Sequence, residues 1–202
     1  MIMRIGWLNQ LAGDIEARHG KDVRDKIFGD LENMKTGRKF LSEWFDNFIT
    51  QMDEIDDKEF LQNMMVNRCP CGPGKSNYEK QAKYIKKSYD ESKSLEDFVE
   101  RLRNAKLPLG DNLRLEGNVL YNIKNPVNRK VTGSCGSGCH CQLACHTNKY
   151  ISDIFCYCCT VGHDGKPFVM AFGDDIKVEF AYSLINGGKA CASATHLPDK
   201  WH

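Results

Sequence analysis

The chain has 202 residues, 41% hydrophobic and 27% charged, with a formal net charge of +1. That apolar content is enough to bury one core, or one helical part packed on one mixed part, and it excludes a disordered chain. Up to residue 105 there are 18 basic against 19 acidic residues, and 10 against 8 beyond it. Neither half has the cationic excess that phosphate-backbone binding needs, so nucleic acid is not an expected partner.

The opening run MIMRIGWLNQLAGDIEARHG carries polar residues every two or three positions and no long apolar stretch. It reads as neither signal peptide nor membrane span, so the expectation is a cytoplasmic protein with no membrane partner. Residues 3–18 and 22–33 read as two helices separated by His19 and Gly20, the glycine suiting a left-handed cap. From Arg38 to Met52 the residues Phe40, Leu41, Trp44, Phe45, Phe48, Ile49 and Met52 form one wide apolar stripe, a helix face bound for a core. Asp56 and Asp57 start a short helix through Phe60, Leu61 and Met64. The Pro- and Gly-rich loop Cys69-Pro70-Cys71-Gly72-Pro73-Gly74 ends it. Helices resume over residues 76–89 and 95–103, the second with a capping-box-like start at Ser94 and Asp97. The lysines of KQAKYIKKSYDESK are offset by carboxylates and read as a solvated face.

After Leu107-Pro108 the pattern changes. Leu113 and Leu115, then Val119, Tyr121 and Ile123, alternate with polar residues around Glu116-Gly117-Asn118, which predicts a hairpin. Ile176 to Leu184 alternates best of all, and Asn186-Gly187-Gly188 turns it toward a partner strand at 189–197. Between the hairpins lies a helical stretch from about Ser152 to Phe172, which Gly162 to Pro167 is expected to interrupt. The expected fold is α+β: a helical region (1–106) with a Cys-Pro-Cys loop, and a cysteine-rich α+β region (107–202). The second region would hold a small antiparallel sheet of about four strands and a C-terminal helix-hairpin, the two regions forming one unit.

Ten cysteines without an export signal point to a reducing compartment, where clustered cysteines bind metal or do thiol chemistry more often than they form bridges. Seven of the ten, with three of the six histidines, fall between residues 133 and 163. Cys139 with Cys141, and Cys156 with Cys158, repeat a C-x-C spacing, and Cys69 with Cys71 is a third copy. On an extended backbone such pairs project to one side and could chelate as pincers. The expected metal is zinc, with an iron-sulfur cluster as the alternative. Cys135, Cys145 and Cys159 are left as spare ligands or nucleophiles, and Cys191 as a small buried residue. His163 follows Cys158 and Cys159 closely, so a Cys159–His163 pair could activate a thiol or a water.

The run CHCQLACHTNKYISDIFCYCCTVGHDGKPFVMAFGDDIKVEFAYSLINGGKACASATHLP resembles the C-terminal region of L-2-amino-thiazoline-4-carboxylic acid hydrolase-like proteins and their cysteine-rich relatives. The likeness is carried by C-x-C, Ile-Ser, Phe-Cys-Tyr-Cys, Val-Glu before a strand, then Gly-Gly and a cysteine on the last strand. It implies recurring cysteines at Cys139, Cys141, Cys156, Cys158 and Cys191. It also implies hydrolytic opening of a small sulfur/nitrogen heterocycle, a non-peptide C–N bond. The fold is also similar to vinyl reductase-type ligand-binding domains, which leaves open a non-enzymatic module that binds a metal or a small molecule.

Overall fold

The computed structural model describes residues 5–29, 31, 38–68, 75–105, 112–126, 152–198 and 200. Among the described residues six helices precede the sheet: α1 (Ile5–His19), α2 (Lys21–Phe28), α3 (Arg38–Asp53), α4 (Lys58–Asn67), α5 (Lys75–Glu91) and α6 (Leu95–Asn104). Their ends follow local chemistry. Gly20, at φ 88°, separates α1 from α2 in a backbone region that favours glycine. Asp57 caps α4 by accepting from the Phe60 N–H, and Ser94 caps α6 by accepting from the Asp97 N–H while Asp97 reaches back to the Lys93 N–H.

Two hairpin strands follow, β1 (Asn112–Glu116) and β2 (Val119–Lys124). The next described element is a helical stretch made of α7 (Asp153–Tyr157), a π-helical segment (Cys158–Gly165) and α8 (Lys166–Phe172). Strands β3 (Lys177–Tyr182) and β4 (Cys191–His196) end the described chain. The sheet is antiparallel in the order β1-β2-β4-β3. The last strand in sequence therefore sits inside the sheet, buried on both faces, and Cys-Ala-Ser-Ala-Thr provides side chains small enough for it. The architecture is the α+β arrangement expected from the sequence.

Two apolar clusters join helices to sheet. The first combines Trp7, Leu8, Leu11, Ile15, Phe28, Phe45, Phe48, Met52, Leu61 and Met65 with Ile154, Phe155, Cys158 and Cys191. Here the Phe48 and Phe155 rings meet edge to face at 5.6 Å. The second packs Ile85, Tyr89, Phe98 and Leu102 against Leu113, Leu120, Phe168 and Phe172. Both clusters cross the 106/107 boundary drawn from composition, so helical and cysteine-rich regions share their cores. Among the described residues no helix is long and apolar enough to cross a membrane.

The helix from 152 to 172 is not interrupted at Gly162 to Pro167, in contrast to the expectation. It widens into π-helical turns, and Pro167 falls in the first turn of α8, where a missing N–H is tolerated. The glycines serve packing instead. A β-carbon at Gly162 would stand 2.5 Å from the Val66 carbonyl oxygen, and one at Gly165 2.5 Å from Val178 Cγ1. These contacts seat the π-helical segment against α4 on one side and the sheet on the other.

Candidate functional site

The alternation of Val119, Tyr121 and Ile123 marks them as the buried face of β2, but the structure gives the helix-facing side to their neighbours. Leu120 lies in the helix-sheet core, and strand alternation sets Asn122 and Lys124 on the same side. Register places Cys191 opposite Lys124, Ser193 opposite Asn122 and Thr195 opposite Leu120. The helix-facing side of the sheet thus carries a row of polar groups. Asn122, Ser193 and Thr195 are all at most 1% exposed.

Over that row runs the π-helical segment. Its direction follows from its contacts. The Cys156 end lies by Ser183, at the end of β3, and the Gly165 end lies on Val178, which pairs with Thr195. Between these two contacts the segment carries Thr160 and Asp164, both buried.

Lys124 is the centre of the site. Its ammonium stands 2.7 Å from Asp164 Oδ1, 3.4 Å from Cys159 Sγ and 3.3 Å from the Cys159 carbonyl oxygen. Burial opposes the charge on Lys124, but Cys159 and Asp164 outweigh it and hold the ammonium above its ordinary range. The same Asp164 oxygen lies 2.7 Å from His163 Nδ1. In the neutral ring this bond places the proton on Nδ1 and leaves Nε2 as an acceptor. Tyr78 meets the His163 ring edge to face at 6.1 Å, and Lys166 stands 5.4 Å from the Tyr78 ring centre. Cys159 connects to His163 through Lys124 and Asp164, so the pair singled out in the sequence is tied together by two groups that were not.

The other expected ligands fare differently. Cys156 and Cys158 lie on helical backbone, where residues two apart point about 200° away from each other. The extended pincer expected of them is not formed. Cys158 enters the core beneath the N-terminal helices, while burial pushes the Cys156 thiol up to about 12, only partly offset by a hydrogen bond with Ser183. Cys191 is buried, as expected, and accepts from the Leu184 N–H at 3.5 Å. Cys69, Cys71, Cys139 and Cys141 lie outside the described residues, as do Cys135, Cys145, His140 and His146. Among the described residues no group of three or more His, Cys, Asp or Glu is placed to hold a metal ion.

Surface grooves stand apart from this chemistry. One of about 580 Å³ runs between α5 and α8 past Lys83, Lys86 and Met170. Another, of about 510 Å³, lies between α1 and α4 beside Arg68, whose guanidinium grips Asp14 with two hydrogen bonds of 2.7 and 2.9 Å. Neither is lined by Cys159.

Sequence reasoning missed Lys124, Asp164, Asn122 and Ser193. The available signal was the Leu-x-Asn-x-Lys alternation of β2, which the more apolar Val-x-Tyr-x-Ile set obscured. In comparisons with known proteins, no family model, no curated protein and no solved structure matches the chain.

Proposed function

We propose that the chain is a thiol-dependent hydrolase that cleaves a non-peptide C–N bond in a small sulfur- or nitrogen-containing compound, with Cys159 as nucleophile. One observation carries this reading: a half-buried cysteine whose sulfur lies 3.4 Å from the ammonium of Lys124, an ammonium itself fixed by buried Asp164. A lysine ammonium beside a partly exposed thiol stabilises the thiolate, which is the nucleophilic form. π-Helical turns recur at functional sites because they displace a side chain from the regular helix pattern.

In the proposed reaction the Cys159 thiolate attacks the carbon of an amide or cyclic amidine, and the carbon–nitrogen bond breaks. The departing nitrogen takes its proton from the His163 imidazolium, leaving a thioester or its nitrogen analogue on Cys159. Water then hydrolyses that intermediate and the thiolate is regenerated. Lys124 stabilises the sulfur's charge at the start and at the end, and Asp164 orients both Lys124 and His163.

The test offers small amides and cyclic amidines, 2-amino-thiazoline-4-carboxylate among them, to the whole protein, with acid quenching and peptide mass mapping. Adduct mass on the peptide containing Cys159, and loss of both adduct and turnover in Cys159→Ser, is the expected result. Turnover that persists in Cys159→Ser refutes the proposal.

The metal expectation belongs to the same proposal. Cys69, Cys71, Cys139 and Cys141 are the residues that would hold zinc, or an iron-sulfur cluster, as a staple for their loops. Such a group would contribute folding free energy, and no step above passes through it. Elemental analysis and an absorption spectrum of anaerobically purified protein distinguish the two. Metal-free protein with ten titratable thiols refutes the staple.

A further inference from the structure

Four buried side-chain atoms, on the helix-facing side of the sheet and on the π-helical segment, have no hydrogen-bonding partner among the described residues: Asn122 Oδ1, Asn122 Nδ2, Ser193 Oγ and Asp164 Oδ2. Their hosts are not scattered. Asn122 and Ser193 are direct cross-strand partners on the helix-facing side, so their β-carbons stand about 5 Å apart. Lys124 projects from the same strand and the same face two residues on, and holds Asp164 Oδ1 at 2.7 Å. Asp164 Oδ1 faces Lys124 and His163, so Oδ2 is the oxygen of that carboxylate left without a partner among the described residues.

Buried polar atoms are almost always satisfied, because leaving one unpaired costs about 1–3 kcal/mol. The set here offers one amide donor, one hydroxyl and two acceptor oxygens, complementary to a small neutral molecule that both donates and accepts. Lys124 and Asp164 already neutralise one another, so this set of groups selects against a further ion. No side chain of the set is exposed, which limits the occupant to the smallest such molecule. A buried water typically makes about three hydrogen bonds to polar groups that would otherwise be unpaired.

We infer that Asn122, Ser193 and Asp164 form a binding site for one water molecule beside Lys124 and Cys159, and that this water hydrolyses the Cys159 intermediate. The inference rests on the proposed nucleophilic role of Cys159. In the hydrolytic step the water oxygen bonds to the acyl carbon and one water proton passes to Asp164 Oδ2. The carbon–sulfur bond breaks and its electron pair returns to sulfur, which leaves as a thiolate next to Lys124. Asp164 then loses its proton to solvent and His163 regains one, so the cycle balances. Asn122 and Ser193 act as positioning residues, since they touch the water and not the substrate.

Two measurements test this on the whole protein. The first is independent of turnover: a water cross-peak to the Asn122 side-chain amide protons in a nuclear Overhauser experiment on nitrogen-15-labelled protein. Its presence is expected, and its absence overturns the site. The second follows acylation and deacylation of Cys159 separately by rapid-quench mass analysis in Asn122→Leu and in the milder Ser193→Ala. The expected outcome is acylation within threefold of the natural protein, with deacylation slowed at least tenfold in Asn122→Leu and several-fold in Ser193→Ala. Hydroxylamine, which needs no positioned water, should restore release in both. Equal deacylation rates in both variants and the natural protein overturn the hydrolytic role. A water cross-peak in a protein that never forms a Cys159 adduct also overturns that role, and shows that the failure lies with the nucleophile and not with the water site.

Discussion

Replacing Lys124 by Met removes an ammonium from a position where the side chain is 11% exposed and its partner Asp164 is 2% exposed. At 2.7 Å the attraction is about 6 kcal/mol for an effective dielectric constant of 20. Desolvating each ion costs several kcal/mol, so the pair is close to neutral as a unit. Breaking it is different, because Lys124→Met leaves the Asp164 carboxylate buried without its ammonium, with His163 as its remaining side-chain partner among the described residues. The expected loss is about 3–5 kcal/mol in urea unfolding, a large share of the roughly 5–15 kcal/mol that holds a domain together. Adding Asp164→Leu to Lys124→Met removes the stranded charge and should recover most of that loss, so the two substitutions are strongly non-additive. The same variants should slow alkylation of Cys159 by iodoacetamide at neutral pH, read by peptide mapping, because the thiolate has lost its ammonium. A loss below about 1 kcal/mol for the single variant, or a double variant as unstable as the sum of its parts, refutes the picture of a buried coupled pair.

Two other perturbations follow from the packing and charge of the same region. Cys156 titrates at 9.0 when unperturbed and at about 12 in the fold, so the unfolded chain gives up this proton first as pH rises. Stability from this thiol is fully present below pH 9 and is lost between pH 9 and 12, at no more than about 1.4 kcal/mol per pH unit. Urea midpoints should therefore fall more steeply from pH 8.5 to 10.5 in the natural protein than in Cys156→Ala, and equal slopes would contradict the burial of the thiol. Gly162→Ala forces a β-carbon against the Val66 backbone, which cannot yield as a side chain does, and should cost about 1–3 kcal/mol. Gly13→Ala in α1, where the added carbon meets nothing within 4 Å, should instead stabilise by about 0.5–1 kcal/mol. Thermal melts of the two variants that shift in the same direction would count against the close approach of α4.

Much of the fold was legible along the chain because its causes are local. The caps at Asp57 and Ser94, the turn at Gly20 and the apolar stripe of α3 depend on neighbours within one or two helical turns, so spacing alone reveals them. The two hairpins were equally legible from alternation. Their order was not, because the pairing of β2 with β4 joins strands about seventy residues apart and buries a strand that lacks the usual β-branched signature.

The candidate site shows the same division. Sequence singled out Cys159 and His163 by their closeness in the chain, and closeness on one helical segment does bring them to one neighbourhood. It also grouped Cys156 with Cys158 by a spacing whose meaning depends on backbone shape: two residues apart means the same side on a strand and nearly opposite sides on a helix. Only the tertiary structure brings Lys124 from β2 to Cys159 and Asp164, 35 and 40 positions along the chain. Only the sheet register sets Asn122 against Ser193 beneath them. The sequence by itself determined the α+β class, the helix ends and the concentration of thiols, all of which follow from short-range periodicity and composition. Among the described residues the tertiary structure decided which thiol meets a cation and which is buried in the core, because that depends on the face each strand and helix turns inward, a choice made by packing across the whole chain.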